Sequence, residues 1–387
     1  MKKILIVTRQ LGVGGVEKAL VAMLKKIKQT EYKIKILTIY PGGELLNDIP
    51  KWIEVETIPE ISTSTKNKIL SSIKRGNIKN CYEIFKFSIL SKNAKKISES
   101  YKYSIKTLPE IEEEYDLAIS YYNPTSFTVA YVIQNVKAKK KALWIHADIN
   151  RYKDLYDYEE YYEKYDLIYN VSSIGADEFK ERFPRLKDKV DVFYNIIDED
   201  YIKEMANSMI DEISDTSNEI KIVTVGRLSI EKGQDIIPEI TSKLMNDGIN
   251  VKWYCIGEGN LRDEIEKNIK KYNVMNNVIL LGNKNNPYPY INKCDIYVQT
   301  SRSECFCTTV MEAKCLKKPM VITDVNGSRE QIKNNIDGFI AKINSDDIYE
   351  KVKCLIINKE KRSEFKEELD KNKINTEREM EKLYKLL

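Results

Sequence analysis

Residues Ile220-Lys221-Ile222-Val223-Thr224-Val225-Gly226-Arg227-Leu228-Ser229-Ile230-Glu231-Lys232-Gly233 decide how the second half of the chain folds. Six residues rich in β-branched side chains run into a glycine and a charged loop, and helical spacing follows from about Gln234 to Asp247. Such a run, bounded by glycine, reads as a strand buried in a sheet. The pattern then repeats: a strand at Val251–Ile256, the turn Gly257-Glu258-Gly259, and an amphipathic helix around Leu261–Tyr272. Val278–Leu281, Ile296–Thr300 and Met320–Thr323 read as further strands. Short apolar runs alternating with helices predict an α/β sheet. Arg227 and Lys232, five positions apart on a loop entering a helix, can converge on one diphosphate, as a planar fork and a point charge. The alternative for this stretch alone is a solvated charged loop.

The amino-terminal half carries the same alternation. Ile4–Thr8 reads as a strand, Gly12-Val13-Gly14-Gly15 as a turn, and Val16–Ile27 as a helix with Ala19, Leu20, Met23, Leu24 and Ile27 on one face. Ile34–Tyr40, Asp116–Tyr121, Lys141–Ile145, Leu167–Val171 and Val190–Tyr194 complete a first sheet. Ser208–Glu219 is polar and poor in apolar side chains, as a linker is. Two α/β units in tandem are therefore expected. The tail from Lys359 is charged with helical spacing through Phe365, Leu369, Met380 and Leu383, and is expected to pack back across the first unit.

Length and composition agree. At 387 residues, and roughly 150 residues per domain, two to three domains are expected. An apolar fraction of 42% with 15 glycines is ordinary for a globular protein and excludes wholesale disorder. Lys and Arg number 63 against 59 acidic residues, a formal charge of +4, so no global nucleic-acid signal exists. The seven cysteines (81, 255, 294, 305, 307, 315 and 354) have no disulfide-like rhythm, and His146 is the single histidine. Zinc normally draws on cysteine pairs or several histidines, so no metal site is expected. The apolar run Ile4–Val7 is broken by Thr8 and Arg9, too short for a secretory segment, and no run approaches the ~18 residues of a membrane span. A soluble, cytoplasmic chain is expected.

Other stretches hold candidate chemistry. The strand–glycine turn–helix at Gly12–Gly15 lets backbone approach a ligand at a helix amino terminus. It is not the full dinucleotide fingerprint, however, and no acidic residue closes the second strand as NAD binding requires. A tight strand–helix turn is the equal alternative. Glu304 and Glu312 stand eight positions apart around Cys305–Met311; alone they would read as surface residues.

Taken together, these stretches resemble the retaining GT-B glycosyltransferases of family four, the glycosyl transferases group 1. The carrying residues are Gly226 to Gly233, then Ile256-Gly257-Glu258-Gly259-Asn260-Leu261-Arg262 and Ser303-Glu304-Cys305-Phe306-Cys307-Thr308-Thr309-Val310-Met311-Glu312-Ala313. Pro319–Glu330 and Asp337-Gly338 follow, and Asn195-Ile196-Ile197-Asp198 looks like the entry to the hinge. The resemblance is specific over about 190–340 and weaker before it, where Gly14-Gly15-Val16-Glu17 and Trp144-Ile145-His146 anchor it.

The resemblance implies two Rossmann-like domains facing across a cleft, with the carboxy-terminal helix crossing back. Residues 1–198 would form the acceptor-side domain, 199–370 the nucleotide-sugar domain, and 371–387 the returning helix. Arg227 and Lys232 would hold the diphosphate, Glu312 the ribose hydroxyls and Glu304 the sugar hydroxyls. Backbone amides of Cys307, Thr308 and Thr309 would face phosphate, Asn283 and Lys284 the base. Gly14 and Gly15 would close over the diphosphate, and His146 would stand near the transferred sugar, unless it is a satisfied core histidine. The implied reaction retains anomeric configuration, uses no protein nucleophile and needs no metal or other cofactor. Cysteines 305 and 307 stand where the family usually has glycines, which leaves the donor sugar open.

Between Ile61 and Lys106 eleven basic residues (Lys66, Lys68, Lys74, Arg75, Lys79, Lys86, Lys92, Lys95, Lys96, Lys102 and Lys106) face two acidic ones, Glu83 and Glu99, a local charge of +9. With Phe85, Phe87 and Leu90 interleaved, the stretch reads as an element for an anionic membrane surface, or as a solvated lysine-rich helix pair. The expected protein is a glycosyltransferase moving a sugar from a UDP- or GDP-sugar to a lipid-linked or polysaccharide acceptor, cytoplasmic and open to peripheral attachment at the inner face of the membrane. The rivals are a non-catalytic GT-B subunit partnering another glycosyltransferase, and a GT-B sugar-nucleotide epimerase or phosphorylase.

Overall fold

The computed structural model describes residues 1–74, 76–213, 219–372, 374, 376 and 378–387. It divides into two compact units, Met1–Ile196 with Glu377–Leu387, and Ile197–Thr376. The break therefore comes at 196/197. Within the polar stretch 208–219, residues 214–218 lie outside the described residues. The part before them belongs to the second unit, where Ile213 is buried in the core.

The first unit is a parallel sheet of seven strands: β1 (Lys2–Thr8), β2 (Tyr32–Thr38), β3 (Glu54–Thr57), β4 (Glu114–Tyr122), β5 (Lys137–Ile145), β6 (Leu167–Asn170) and β7 (Val190–Val192). Their order is β3-β2-β1-β4-β5-β6-β7, so the chain switches direction across the sheet between β1 and β4. Burial on both faces explains why β1 reads as a continuous apolar run: Ile4 to Val7 are all buried. Helix α1 (Gly15–Lys26) follows β1 and buries Leu20, Met23 and Leu24. The expected return of the tail is observed within this unit. Helix Arg378–Leu386 places Met380 and Leu383 in the core with Ile4 and Ile34, and Tyr384 stacks on Tyr32 at 5.7 Å.

The second unit is a parallel sheet of six: β8 (Ile220–Val225), β9 (Val251–Ile256), β10 (Val278–Gly282), β11 (Ile296–Gln299), β12 (Met320–Thr323) and β13 (Phe339–Ala341), ordered β10-β9-β8-β11-β12-β13. The switch point lies between β8 and β11. In open parallel sheets ligands sit beyond the carboxyl ends of the strands at such a point.

The basic stretch forms three helices, α2 (Thr65–Lys74), α3 (Ile78–Asn93) and α4 (Ile97–Ile105), which sort its charges in a way composition does not reveal. Lys96 pairs with Asp157 at 2.7 Å and Lys102 with Glu160 at 3.1 Å, and Lys68 is buried and donates to Thr107 at 3.1 Å. Arg75 lies outside the described residues. Phe87 is half-buried and stacks on Tyr103. The exposed apolar residues of α3 are instead Ile78, Tyr82, Phe85 and Ile89. Their spacing of four, three and four makes one stripe along the helix.

Candidate active site

In the second unit three loops meet at the carboxyl ends of the strands, and backbone packing brings them together. The loop after β8 zips onto the loop after β9 through Gly226 N–H to Ile256 O at 2.9 Å and Leu228 N–H to Glu258 O at 3.0 Å. Gly257, at φ +137, permits this approach, because a Cβ there would stand 2.0 Å from the Gly226 carbonyl oxygen. Gly233, at φ +64, does the same toward β11: its Cβ would lie 2.1 Å from Thr300 O. Arg302 locks that junction with a two-pronged bond to Asp235 at 2.6 and 2.7 Å, the planar match of guanidinium and carboxylate.

These loops bring Lys232 and Glu304, 72 positions apart, into an ion pair. Both side chains are largely sheltered, at 21% and 12% exposure. Burial, the largest single influence, pushes the Lys232 ammonium down, but Glu304, through its charge and its hydrogen bond, and Cys307 together outweigh it, and the pKa ends above the usual lysine value. The positive charge of Arg227 acts on Lys232 in the opposing direction, which puts the two cations within electrostatic reach. The Arg227 head itself is exposed and makes no side-chain bond among the described residues.

Glu304 is aimed by groups that sequence reading missed. Tyr297 Oη donates to Gln299 Oε1 at 2.6 Å, Gln299 Nε2 to Ser301 Oγ at 2.9 Å, and Ser301 Oγ to Glu304 Oε1 at 2.7 Å. Tyr297, Gln299 and Ser301 are buried and each donates along the chain, so the chain fixes the carboxylate. No sequence signal marks it beyond polar residues at the end of an apolar strand. Burial holds the Tyr297 phenol well above its ordinary pKa, with Cys307, Glu312 and Glu304 adding to the rise.

Glu312 lies on the helix Thr308–Cys315 and is 3% exposed. Tyr288 Oη donates to its Oε1 at 3.2 Å, and burial followed by Glu312's charge raises the Tyr288 phenol. Thr308 and Thr309 occupy the first turn of that helix, where amides lack intrahelical acceptors. Cys307 departs from expectation. Its N–H donates to Gln331 Oε1 at 3.1 Å, and its carbonyl accepts Gln331 Nε2 at 2.8 Å, so its amide is already engaged. Its sulfur packs in the core beside Thr309 Oγ1 at 3.2 Å. Burial pushes the thiol up to about 11, with Glu304 adding to the rise, so it is a protonated packing group. Lys284 is likewise engaged: it pairs with Glu212 at 2.7 Å and, with help from Tyr290, pulls that carboxyl down to about 2. Asn283 is exposed next to it.

In the first unit, His146 follows β5, and its N–H donates to Tyr122 O at 3.1 Å. Its ring packs on Tyr121 at 4.2 Å. Both ring nitrogens are buried and, among the described residues, have no hydrogen-bond partner. Burial lowers its pKa to about 3, so the imidazole is neutral at physiological pH and offers one donor and one acceptor. Gly14 precedes α1 in extended backbone, and Gly15 is the helix's first residue. A Cβ on Gly14 would meet Glu17 Oε2 at 2.2 Å, so the helix's positive end is already served by Glu17. A diphosphate could use the turn only with that carboxylate swung aside.

Among the described residues no group of three or more His, Cys, Asp or Glu is placed to hold a metal ion. No helix is long and apolar enough to cross a membrane.

Residues 206–372 match the family model described as Glycosyl transferases group 1. The N-acetylgalactosamine-N,N'-diacetylbacillosaminyl-diphospho-undecaprenol 4-alpha-N-acetylgalactosaminyltransferase of Campylobacter jejuni is 29% identical over 208 residues, 53% of this chain and 54% of that enzyme. The chain spans about half the length of the curated relatives it matches. A glycosyltransferase structure from Rickettsia africae superposes with a TM-score of 0.71 at 19% identity, covering 100% of this chain and 97% of that one. HepE of Anabaena in complex with UDP gives 0.69 at 16% identity, covering 100% and 99%. This likeness establishes the GT-B fold.

Proposed function

Because residues 206–372 form a glycosyl transferases group 1 domain in a chain of GT-B fold, we propose that the protein transfers a sugar from a UDP- or GDP-sugar to a lipid-linked or polysaccharide acceptor of the cell surface, retaining anomeric configuration. The observation that carries this reading is the sheltered Lys232–Glu304 pair, within electrostatic reach of Arg227, at the switch point of the second sheet. The bond from the anomeric carbon to the diphosphate oxygen breaks with its electron pair going to the diphosphate. Arg227 and Lys232 hold the charge that develops there. The acceptor hydroxyl attacks from the same face, and its proton passes to the departing diphosphate oxygen. Glu304 holds sugar hydroxyls, Glu312 the ribose, and the amides of Thr308 and Thr309 a phosphate oxygen; in the first unit the imidazole of His146 is a hydrogen-bonding group for a sugar. Two cations do the work a divalent ion does elsewhere, so the reaction needs no metal.

The acceptor side belongs to the first unit in this reading, and α3 is its contact with an anionic bilayer. The stripe Ile78, Tyr82, Phe85 and Ile89 is 80%, 66%, 56% and 43% exposed. On the helix it is flanked by Lys92 on one side and by Lys79 and Lys86 on the other, the arrangement of an interfacial helix. Those cations complement an anionic leaflet, whereas Lys96 and Lys102 are already paired within the protein.

The test is calorimetry with UDP and GDP on the wild type, Glu312→Ala and Lys232→Ala, beside turnover with a panel of donors. Glu312→Ala is expected to weaken binding of the free nucleoside diphosphate. Lys232→Ala is expected to lower kcat by about 10²–10³-fold, the loss typical of one charge-stabilising donor. Near-wild-type turnover in folded Lys232→Ala overturns the reading.

A further inference from the structure

Arg9 is the first residue beyond β1, and Tyr122 is the last residue of β4. These strands flank the switch point of the first sheet, the place where parallel sheets take ligands. The Arg9 head is gripped there. Its Nη1 donates to Tyr122 Oη at 3.0 Å, and its guanidinium carbon lies 5.6 Å from the centre of the Tyr40 ring and 5.9 Å from that of Tyr122. The backbone reinforces the grip, since the N–H groups of Ile39 and Tyr40 both donate to the Arg9 carbonyl at 3.0 Å. Arg9 and Tyr40 are nonetheless exposed. An arginine kept only for solubility retains its rotamer freedom, and this one has given it up.

A guanidinium carries five N–H donors in a planar fork and ordinarily finds a carboxylate. Among the described residues, the side-chain bond of Arg9 goes to a neutral phenol, and Glu17 reaches it only through its field. A preorganised, cationic, solvent-facing fork between two aromatic rings is therefore presented at the ligand-binding end of the sheet. It also adjoins His146, whose N–H donates to the carbonyl of the same Tyr122 and whose ring nitrogens have no partner among the described residues.

We infer that Arg9, held by Tyr40 and Tyr122, is a binding site for a phosphate or diphosphate group of the acceptor. This rests on the glycosyl-transfer reading above and adds the chemical class of the acceptor. The geometry suits a tetrahedral oxyanion that takes two parallel N–H bonds, and Tyr40 offers a ring face to whatever the phosphate carries.

The probes are farnesyl diphosphate, farnesol and inorganic pyrophosphate, titrated by calorimetry into the full chain with its nucleotide site filled by whichever of UDP or GDP binds. Farnesyl diphosphate is expected to bind the wild type, and Arg9→Gln to weaken it by about 10- to 100-fold, the scale of a pair of charge-assisted bonds. Arg9→Lys should recover part of that loss, because a point charge replaces the fork, and Tyr122→Phe should lose less than Arg9→Gln. Pyrophosphate binding as tightly as farnesyl diphosphate, and equally dependent on Arg9, supports the site and assigns it to the phosphate of a soluble acceptor. Tighter farnesyl diphosphate assigns it to a lipid-linked one. Farnesol binding as well as farnesyl diphosphate, or equal affinity of wild type and Arg9→Gln for both anions, overturns the inference. Nucleoside diphosphate affinity is measured in the same variants, so a failure at Arg9 stays distinct from a failure of the donor site at Lys232.

Discussion

Replacing Glu304 by glutamine tests how the donor site is built. Glutamine keeps an oxygen for the Ser301 hydroxyl, which donates to Glu304 at 2.7 Å, but removes the charge that faces Lys232. Lys232 is left in a sheltered position, 21% exposed, where burial works against its charged form. A hydrogen bond to a charged group contributes about 1.5–3 kcal/mol; partial solvent contact reduces this to about 1–2 kcal/mol. For a unit of this size that lowers the melting temperature of the ligand-free protein by roughly 2–8 °C. The diphosphate of a nucleotide then meets an unpaired cation instead of one shared with Glu304. The same 1–2 kcal/mol makes nucleoside diphosphate bind about 5- to 30-fold tighter, and saturating ligand restores the melting temperature. Under the proposed function sugar transfer falls as well, because Glu304 is the group assigned to the sugar hydroxyls. Thermal unfolding with and without nucleotide, calorimetry and turnover together check this. An unchanged ligand-free melting temperature, or weaker nucleotide binding in Glu304→Gln, refutes the argument.

Three further outcomes are expected. His146 has a folded pKa near 3 against about 6.5 unfolded. Its burial thus contributes stability that is complete above about pH 6.5 and is lost, at about 1.4 kcal/mol per pH unit, as the pH falls toward 3. Urea unfolding at pH 7 and pH 5 should cost the wild type about 2 kcal/mol more than His146→Gln, and parallel losses would contradict this. Vesicles containing phosphatidylglycerol should bind the protein at low salt and release it at 1 M, where the Debye length is ~3 Å. Ile78→Ser with Phe85→Ser, or Lys79, Lys86 and Lys92 changed to Glu, should abolish that co-sedimentation, whereas Lys96→Glu should lose far less because Asp157 already neutralises Lys96. Transfer should persist in EDTA, and activity restored only by Mg²⁺ or Mn²⁺ would contradict the two-cation reading of Arg227 and Lys232.

The sequence by itself determined the two α/β units and the loops that matter. Buried parallel strands such as β1, β8 and β9 are nearly continuous apolar runs, and each is punctuated by the glycine or charge that ends it. That signal is local, so it survives without a fold. Arg227 and Lys232 were legible as candidates because their loop follows β8 directly, whereas Glu304 and Glu312 became candidates only through the family resemblance. The short strands Glu54–Thr57 and Phe339–Ala341 were not legible, since four and three residues carry no period and exist only because a neighbouring edge supplies their hydrogen bonds. Tertiary structure alone decided which charges are in use. It paired Lys232 with Glu304, Lys284 with Glu212 and Lys96 with Asp157 across 72, 72 and 61 positions, and gave the Cys307 amide to Gln331. It set Arg9 between two tyrosines from other strand ends. Such contacts depend on strand order, which brings distant loops to one rim of a sheet, and no local pattern of residues records that order.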